Sequence, residues 1–312
     1  MIRAVLTASV AVLALSIAPM ALGQDHGPHA GDAAHHGHQH ADFDSERLHV
    51  RVDGDGPRDI ILIPGLSSSP EVWDSTVAHL GDGWRVHRIH VQGFAGAPAK
   101  ANAEGAVAAP VAEEIARYIR EKGLNKPAVV GHSMGGTMGM MLAARHPDLV
   151  GKLMVVDMVP WMGAMFAPPG ATVEQVRPVA DQIHAGMSAG PDEAYQAQAA
   201  AAITGMINTE SLRAGPLEDA RTSDRRVSAN AYRELIVTDL RPELANITVP
   251  TEVVYVKFND ARMTPEITDG IYQASFATLP GVELKRIDDA AHFVMFDQPD
   301  AFFAELDSFL AE

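Results

Sequence analysis

The sequence contains no cysteine. That excludes disulfides, thiolate nucleophiles, cysteine-ligated zinc, iron–sulfur clusters and a lipidated N-terminal cysteine. Basic residues are scarce. Twenty-four Lys and Arg stand against 40 Asp and Glu, a formal net charge of −16. Gripping phosphates needs a basic surface, so nucleic acid is excluded as a partner, and docking on anionic lipid with it. There is no internal repeat. What is present is ordinary for a globular protein: 47% hydrophobic and 21% charged residues rule out a disordered chain. A folded chain near this length buries roughly 75% of its unfolded surface, enough for a core without covalent staples.

One long apolar run occurs, at the N-terminus. Arg3 precedes Ala4–Ala18, which is interrupted only by Thr7, Ser9 and Ser16. Ala21-Leu22-Gly23 then offers small residues to a signal peptidase. Residues 1–23 therefore read as a signal peptide cleaved before Gln24. Ala4–Leu22 is just long enough to span a bilayer, but Pro19 and the small residues favour cleavage over a stable membrane anchor. The expected destination is the periplasm or the exterior. Residues 24–45 follow, with His26, His29, His35, His36, His38 and His40 among Gly, Ala and Asp. This tract has no apolar periodicity and reads as a disordered tail. Its second reading is metal binding by neutral imidazoles, though a flexible tract lacks the partners that orient ligands.

From residue 46 the pattern is that of a fold. Leu48–Val52 and Asp59–Ile63 flank Asp53-Gly54-Asp55-Gly56, which suggests an antiparallel hairpin. Helical and apolar stretches then alternate: helix Glu71–Leu80, strand Arg85–Val91, helix Val107–Lys122, strand Ala128–Val130, helix Met134–Arg145, strand Leu153–Asp157. This rhythm predicts βαβ units, an α/β fold with a mostly parallel sheet and helices on both faces. Residues 160–241 break the rhythm. They are rich in Ala, Met and Gln, have helical periods, and read as a helical cap inserted between core segments 46–159 and 242–312. The alternation resumes with strand Thr251–Val256, helix Thr264–Phe276, strand Val282–Ile287 and helix Asp300–Leu310.

The sharpest motif is Gly131-His132-Ser133-Met134-Gly135-Gly136, a G-x-S-x-G directly after an apolar strand and opening a helix. A tight strand-to-helix turn would expose the Ser133 hydroxyl at the carboxyl edge of the sheet. Side chains two residues to either side would collide, hence glycine there. The turn would also aim the Met134 N–H and the helix N-terminus at any oxyanion formed beside Ser133.

From about Arg47 to its C-terminus the chain resembles the α/β-hydrolase superfamily, whose chain order of nucleophile, acid and histidine it keeps. The resemblance implies the α/β-hydrolase fold and a serine nucleophile, Ser133. The histidine it implies is His292, in Ala290-Ala291-His292-Phe293, with Ala291 where the family usually has glycine. The acid it implies is Asp260, in the loop after strand Thr251–Val256 and five residues before Pro265, although Lys257-Phe258 stands where the family's glycine is expected. Asp157, at the end of the strand after the motif, is the rival acid. Asp288 and Asp289 lie too near His292 in the chain. Ile63-Pro64-Gly65-Leu66 resembles the family's His-Gly loop, which makes the Leu66 N–H a second oxyanion donor beside Met134. Gln92-Gly93-Phe94 occupies the place of an Asp-led family turn and reads as structural, with Gln92 or Phe94 at the pocket edge. Met134, Met138, Met140, Met141, Met154, Met158, Met162 and Met165 read mainly as core, alternatively as an adaptable acyl pocket.

The expected activity is hydrolysis of small to medium apolar carboxylic esters through an acyl-enzyme, without metal or cofactor. Lactone, amide and C–C bond hydrolysis and perhydrolysis share the same groups, and fold does not choose among them. The competing class is an exported metal-binding protein that uses the histidine tail.

Overall fold

The computed structural model of the protein describes residues 43–257, 260 and 262–311. The signal peptide expected at 1–23 and the six histidines of the expected tail lie outside the described residues. Among the described residues, no helix is long and apolar enough to cross a membrane.

Among the described residues, seven strands form one sheet: β1 (Leu48–Asp53), β2 (Arg58–Ile63), β3 (Trp84–Val91), β4 (Ala128–His132), β5 (Lys152–Val156), β6 (Thr251–Val256) and β7 (Glu283–Ile287). Their order is β1-β3-β2-β4-β5-β6-β7. Only β1–β3 is antiparallel; the other pairings are parallel. The central strands read as continuous apolar runs because both faces are covered. Ile61 and Ile63 of β2, Val129 of β4 and Leu153 and Val155 of β5 face one core. Ile60 and Leu62, Val130, and Met154 and Val156 alternate onto the other. The first core is closed by helices α2 (Ala108–Lys122), α3 (Met134–Arg145) and α8 (Pro265–Ser275). The second is closed by α10 (Pro299–Ala311) and by a 3-10 turn, Pro70–Trp73, that leads into α1 (Asp74–Leu80). The fold is the expected α/β-hydrolase fold.

The hairpin expected at 48–63 does not form. β1 pairs instead with β3, Leu48 opposite Val91 and Asp53 opposite Val86. β3 therefore lies between β1 and β2, and the Asp-Gly-Asp-Gly segment crosses the beginning of β3. Its glycines permit the crossing. A Cβ at Gly54 would lie 2.6 Å from the Trp84 carbonyl oxygen, and one at Gly56 would lie 2.4 Å from the Trp84 nitrogen. The turn residues signal a reversal, but they do not say which strand fills the gap.

Between β5 and β6 the described chain has no strand. It forms α4 (Val173–Ala189), α5 (Asp192–Met206), α6 (Ala214–Thr222) and α7 (Arg225–Val237). Gly190-Pro191 separates α4 from α5 as a breaker pair should. Gly215-Pro216 lies in the first turn of α6, where a missing N–H costs no helical bond. This insertion is fastened to the core by Glu234 of α7. Its carboxylate accepts the N–H groups of Val107, Ala108 and Ala109 at 2.6, 2.7 and 2.9 Å, which caps the start of α2.

Those N–H groups have no partner within the helix, and a charged acceptor among them is stabilising. Glu234→Ala should lower the unfolding free energy by about 2 kcal/mol, read from urea denaturation. An unchanged urea midpoint would show that the cap contributes nothing.

Candidate active site

β4 is buried along its whole length and ends at His132. The next residue, Ser133, has φ 55° and ψ −122°, and α3 begins at Met134. A non-glycine residue in that region stores about 1–3 kcal/mol of strain, which the surroundings must hold in place. The Ser133 N–H donates to the Val156 carbonyl at 2.9 Å, tying the turn to the end of β5. The Ser133 carbonyl accepts the N–H groups of Gly136 and Thr137 at 2.8 and 3.2 Å, which starts the helix. The glycines two residues to either side are sterically required. A Cβ at Gly131 would lie 2.2 Å from the Gly135 oxygen, and one at Gly135 would lie 2.1 Å from the Ile63 oxygen.

Neighbouring strand ends supply the rest. β2 ends at Ile63 opposite Gly131, and β5 ends at Val156 opposite His132. Gly65, Ser133 and Asp157 thus follow three adjacent strands at their carboxyl ends. The strand order reverses there, the usual place for a ligand crevice in an open α/β sheet.

The acid beside His292 is Asp157 and not Asp260. Asp157 Oδ2 lies 2.6 Å from His292 Nδ1. Its Oδ1 accepts the Tyr272 hydroxyl at 2.9 Å and the Val256 N–H at 3.2 Å. Burial and the adjacent carboxylate push the Tyr272 hydroxyl well above the usual phenol range, which keeps it a donor. Asp260 is engaged elsewhere. Its carboxylate binds the Arg262 backbone N–H, Nε and Nη2 at 2.8, 2.9 and 2.5 Å. The Arg262 guanidinium holds the Asp260 carboxyl down at about 2. A carboxylate folded back on its own loop cannot orient an imidazole. Asp288, set aside on chain distance, pairs with Arg286.

The loop before α9 (Val294–Asp297) carries His292 and is pinned through its backbone. The Ala291 N–H donates to Asp297 Oδ2 at 2.9 Å, and the Phe293 N–H to the Met206 carbonyl at 3.1 Å. The His292 carbonyl accepts from His132 Nε2 at 2.9 Å. With Nδ1–H donated to Asp157, the His292 ring presents its other nitrogen, Nε2, as a proton acceptor.

Ser133 and His292 line one cavity of about 430 Å³. Its floor is the sheet edge with Leu66 and Ser67. Its walls include Ala199, Ile203 and Met206 of α5 and Leu235 of α7. The methionines divide. Met134, Met138, Met140, Met141 and Met154 are fully buried in the two cores, whereas Met158, Met162 and Met165 line the cavity, joined by Met187 and Met206. Phe94 is fully buried in the core, and neither it nor Gln92 lines the cavity. Among the described residues, no group of three or more His, Asp or Glu is placed to hold a metal ion.

Two contributors are not marked by any motif, Tyr272 and the insertion residues along the cavity, while His132 stands inside the motif at Ser133 without the motif indicating that it tethers the histidine loop. Tyr272 is one more apolar-face position of a helix, and its bond to Asp157 joins residues far apart in the chain. The available signal for Asp157 is its place at the end of an apolar run, as Ser133 is at the end of another.

The model of the Alpha/beta hydrolase family matches residues 60–306. The pimeloyl-[acyl-carrier protein] methyl ester esterase of Vibrio cholerae serotype O1 is 26% identical over 267 residues, 84% of this chain and 97% of that protein. Among solved structures, the enol-lactonase from Burkholderia xenovorans LB400 has a TM-score of 0.66 at 23% identity, over 85% of this chain and 96% of that one. An esterase from Exiguobacterium antarcticum has a TM-score of 0.69 at 18% identity, over 85% and 96%. The two structures are alike in fold.

His132 makes stability depend on pH. It is fully buried, and among the described residues its Nδ1 has no hydrogen-bond partner. Burial, and then the neighbouring His292, push its pKa well below the usual 6.5. As pH falls through 6.5 the unfolded chain takes up a proton and the folded one does not, so stability is lost toward acid. His132→Gln keeps a donor for the His292 carbonyl without that liability. Between about pH 7 and about pH 5 its Tm should fall less steeply than that of the wild type. Parallel Tm curves would contradict a buried neutral imidazole.

Proposed function

The chain belongs to the alpha/beta hydrolase family, and from that premise we propose that it is a serine hydrolase of carboxylic esters, with Ser133 as nucleophile, His292 as general base and acid, and Asp157 as the orienting carboxylate. The observation that carries this reading is the 2.6 Å contact of His292 Nδ1 with Asp157 Oδ2, beside a strained Ser133 in the same cavity. The comparison with a methyl ester esterase along most of both chains supports hydrolysis of an ester.

Ser133 Oγ attacks the ester carbonyl carbon, and its proton passes to His292 Nε2. Asp157 holds the imidazole in the required tautomer and stabilises the imidazolium. The carbonyl oxygen, now negative, lies between the N–H groups of Leu66 and Met134. Met134 is the first residue of α3, so its N–H has no acceptor within the helix. Gly65 keeps the Leu66 loop close: a Cβ there would lie 3.1 Å from Ser133 Cβ. Removing one such donor typically raises a barrier by about 3–4 kcal/mol. The C–O bond to the leaving group then breaks, and the alcohol departs with the proton from His292. Water adds to the acyl-enzyme, giving its proton to His292, and the carboxylic acid leaves as Ser133 recovers its hydrogen. The apolar, methionine-lined wall favours an apolar acyl or alcohol group, since thioether side chains adapt to irregular shapes.

Ser133→Ala should abolish turnover of short p-nitrophenyl esters. Asp157→Asn should lower kcat on the order of ten-thousand-fold, because the imidazole is left in the wrong tautomer. Asp260→Asn should leave kcat within about twofold, as expected of a position away from the reacting groups. Retained activity in Ser133→Ala, or equal losses in the two Asp variants, would overturn these assignments.

A further inference from the structure

The loop after β2 is held from two sides. Below it, Gly65 rests against Ser133. Above it stand the inserted helices α6 and α7. Ser67 has φ 54°, the left-handed region, where a serine needs outside support. Its Oγ lies 2.8 Å from Ser228 Oγ of α7, and its carbonyl accepts from Ser223 Oγ at 3.5 Å. Two residues on, Ser69 donates both its N–H and its Oγ–H to Asp219 Oδ2 of α6, at 2.8 and 2.6 Å. Ser228 Oγ also donates to the Asp224 carbonyl at 3.0 Å, and Ser228 lines the cavity together with Tyr195 of α5. The same junction grips a second core turn. The Ala95 N–H donates to Ser223 Oγ at 2.8 Å, and the Asp224 N–H donates to the Gly93 carbonyl at 2.7 Å.

The bonds to Ser67 and Ser69 join residues 150 to 161 apart in the chain, and they converge on the segment proposed to bind the oxyanion. Burial raises the Asp219 carboxyl above its ordinary value, so this is a desolvated junction and not a solvated surface pair. The geometry points to Asp219 and Ser228 as positioning residues: they hold the Leu66–Ser69 loop so that its N–H faces the reacting carbonyl only while the insertion is seated on the core. The inference rests on the serine-hydrolase reading of Ser133. Its consequence is that loosening the insertion costs rate more than substrate affinity, because the oxyanion exists only after attack.

The test uses the full chain and p-nitrophenyl butyrate, with Ser133→Ala as the blank. Asp219→Ala should lower kcat about tenfold with KM within about twofold, a misplacement effect rather than removal of a reacting group. Ser228→Ala should act in the same direction. Asp219→Asn should restore most of the rate, because both Ser69 donors use a single oxygen. Amide hydrogen exchange at residues 65–69 should rise in Asp219→Ala, with β4 and β5 unaltered. Wild-type kcat in Asp219→Ala overturns the inference, as does wild-type exchange at 65–69. Absence of turnover in the wild type would sink the hydrolase reading instead, and exchange would then decide alone whether the insertion anchors the loop.

Discussion

The carboxyl ends of β2, β4 and β5 lie side by side, and the chemistry of the site depends on that register. Ile63 sits opposite Gly131 and His132 opposite Val156. Slipping one strand by a residue would turn its side chains onto the other face and separate the groups that now meet. The register is enforced by the two cores, since adjacent residues of each central strand belong to opposite clusters. Packing on both faces of the sheet thus fixes a separation of a few ångströms at its edge.

Within that edge, the Asp157–His292 contact involves a buried carboxylate. A carboxylate only 7% exposed is costly unless its oxygens are satisfied. Here they are: one oxygen takes a phenol and a backbone N–H, and the other takes the imidazole. Tyr272 comes from α8, behind β6, so the acid is held from the core rather than from a surface loop. His292 is secured through its backbone by His132, the residue before Ser133. Asp157, His292 and the turn that carries Ser133 are therefore tied together.

Much of this was legible in the sequence, for a physical reason. Central strands buried on both faces read as apolar runs, and β6 and α3 have the bounds expected from 251–256 and 134–145. The strand-to-helix turn at Ser133 was legible because its residues are contiguous in the chain, although the clash that fixes Gly135 is with Ile63 of a neighbouring strand. Other features were not local. The 48–63 segment carries hairpin residues, yet β3 inserts between its strands. Asp260 occupies a suitable loop, yet Arg262, two residues on, captures it. The choice between Asp157 and Asp260 depended on which carboxylate has competing partners, and Tyr272, well over a hundred residues from Asp157 in the chain, is invisible to any motif. The bonds from Asp219 and Ser228 to the loop after β2 are of the same kind.

The proposed chemistry turns on a proton held between His292 Nδ1 and the Asp157 carboxylate. Proton NMR of the intact protein reads it directly, as a strongly downfield imidazole N–H resonance. This resonance is expected in the wild type, lost in Asp157→Asn, and retained in Asp260→Asn. A resonance that survives in Asp157→Asn, or vanishes in Asp260→Asn, would contradict that placement of the proton.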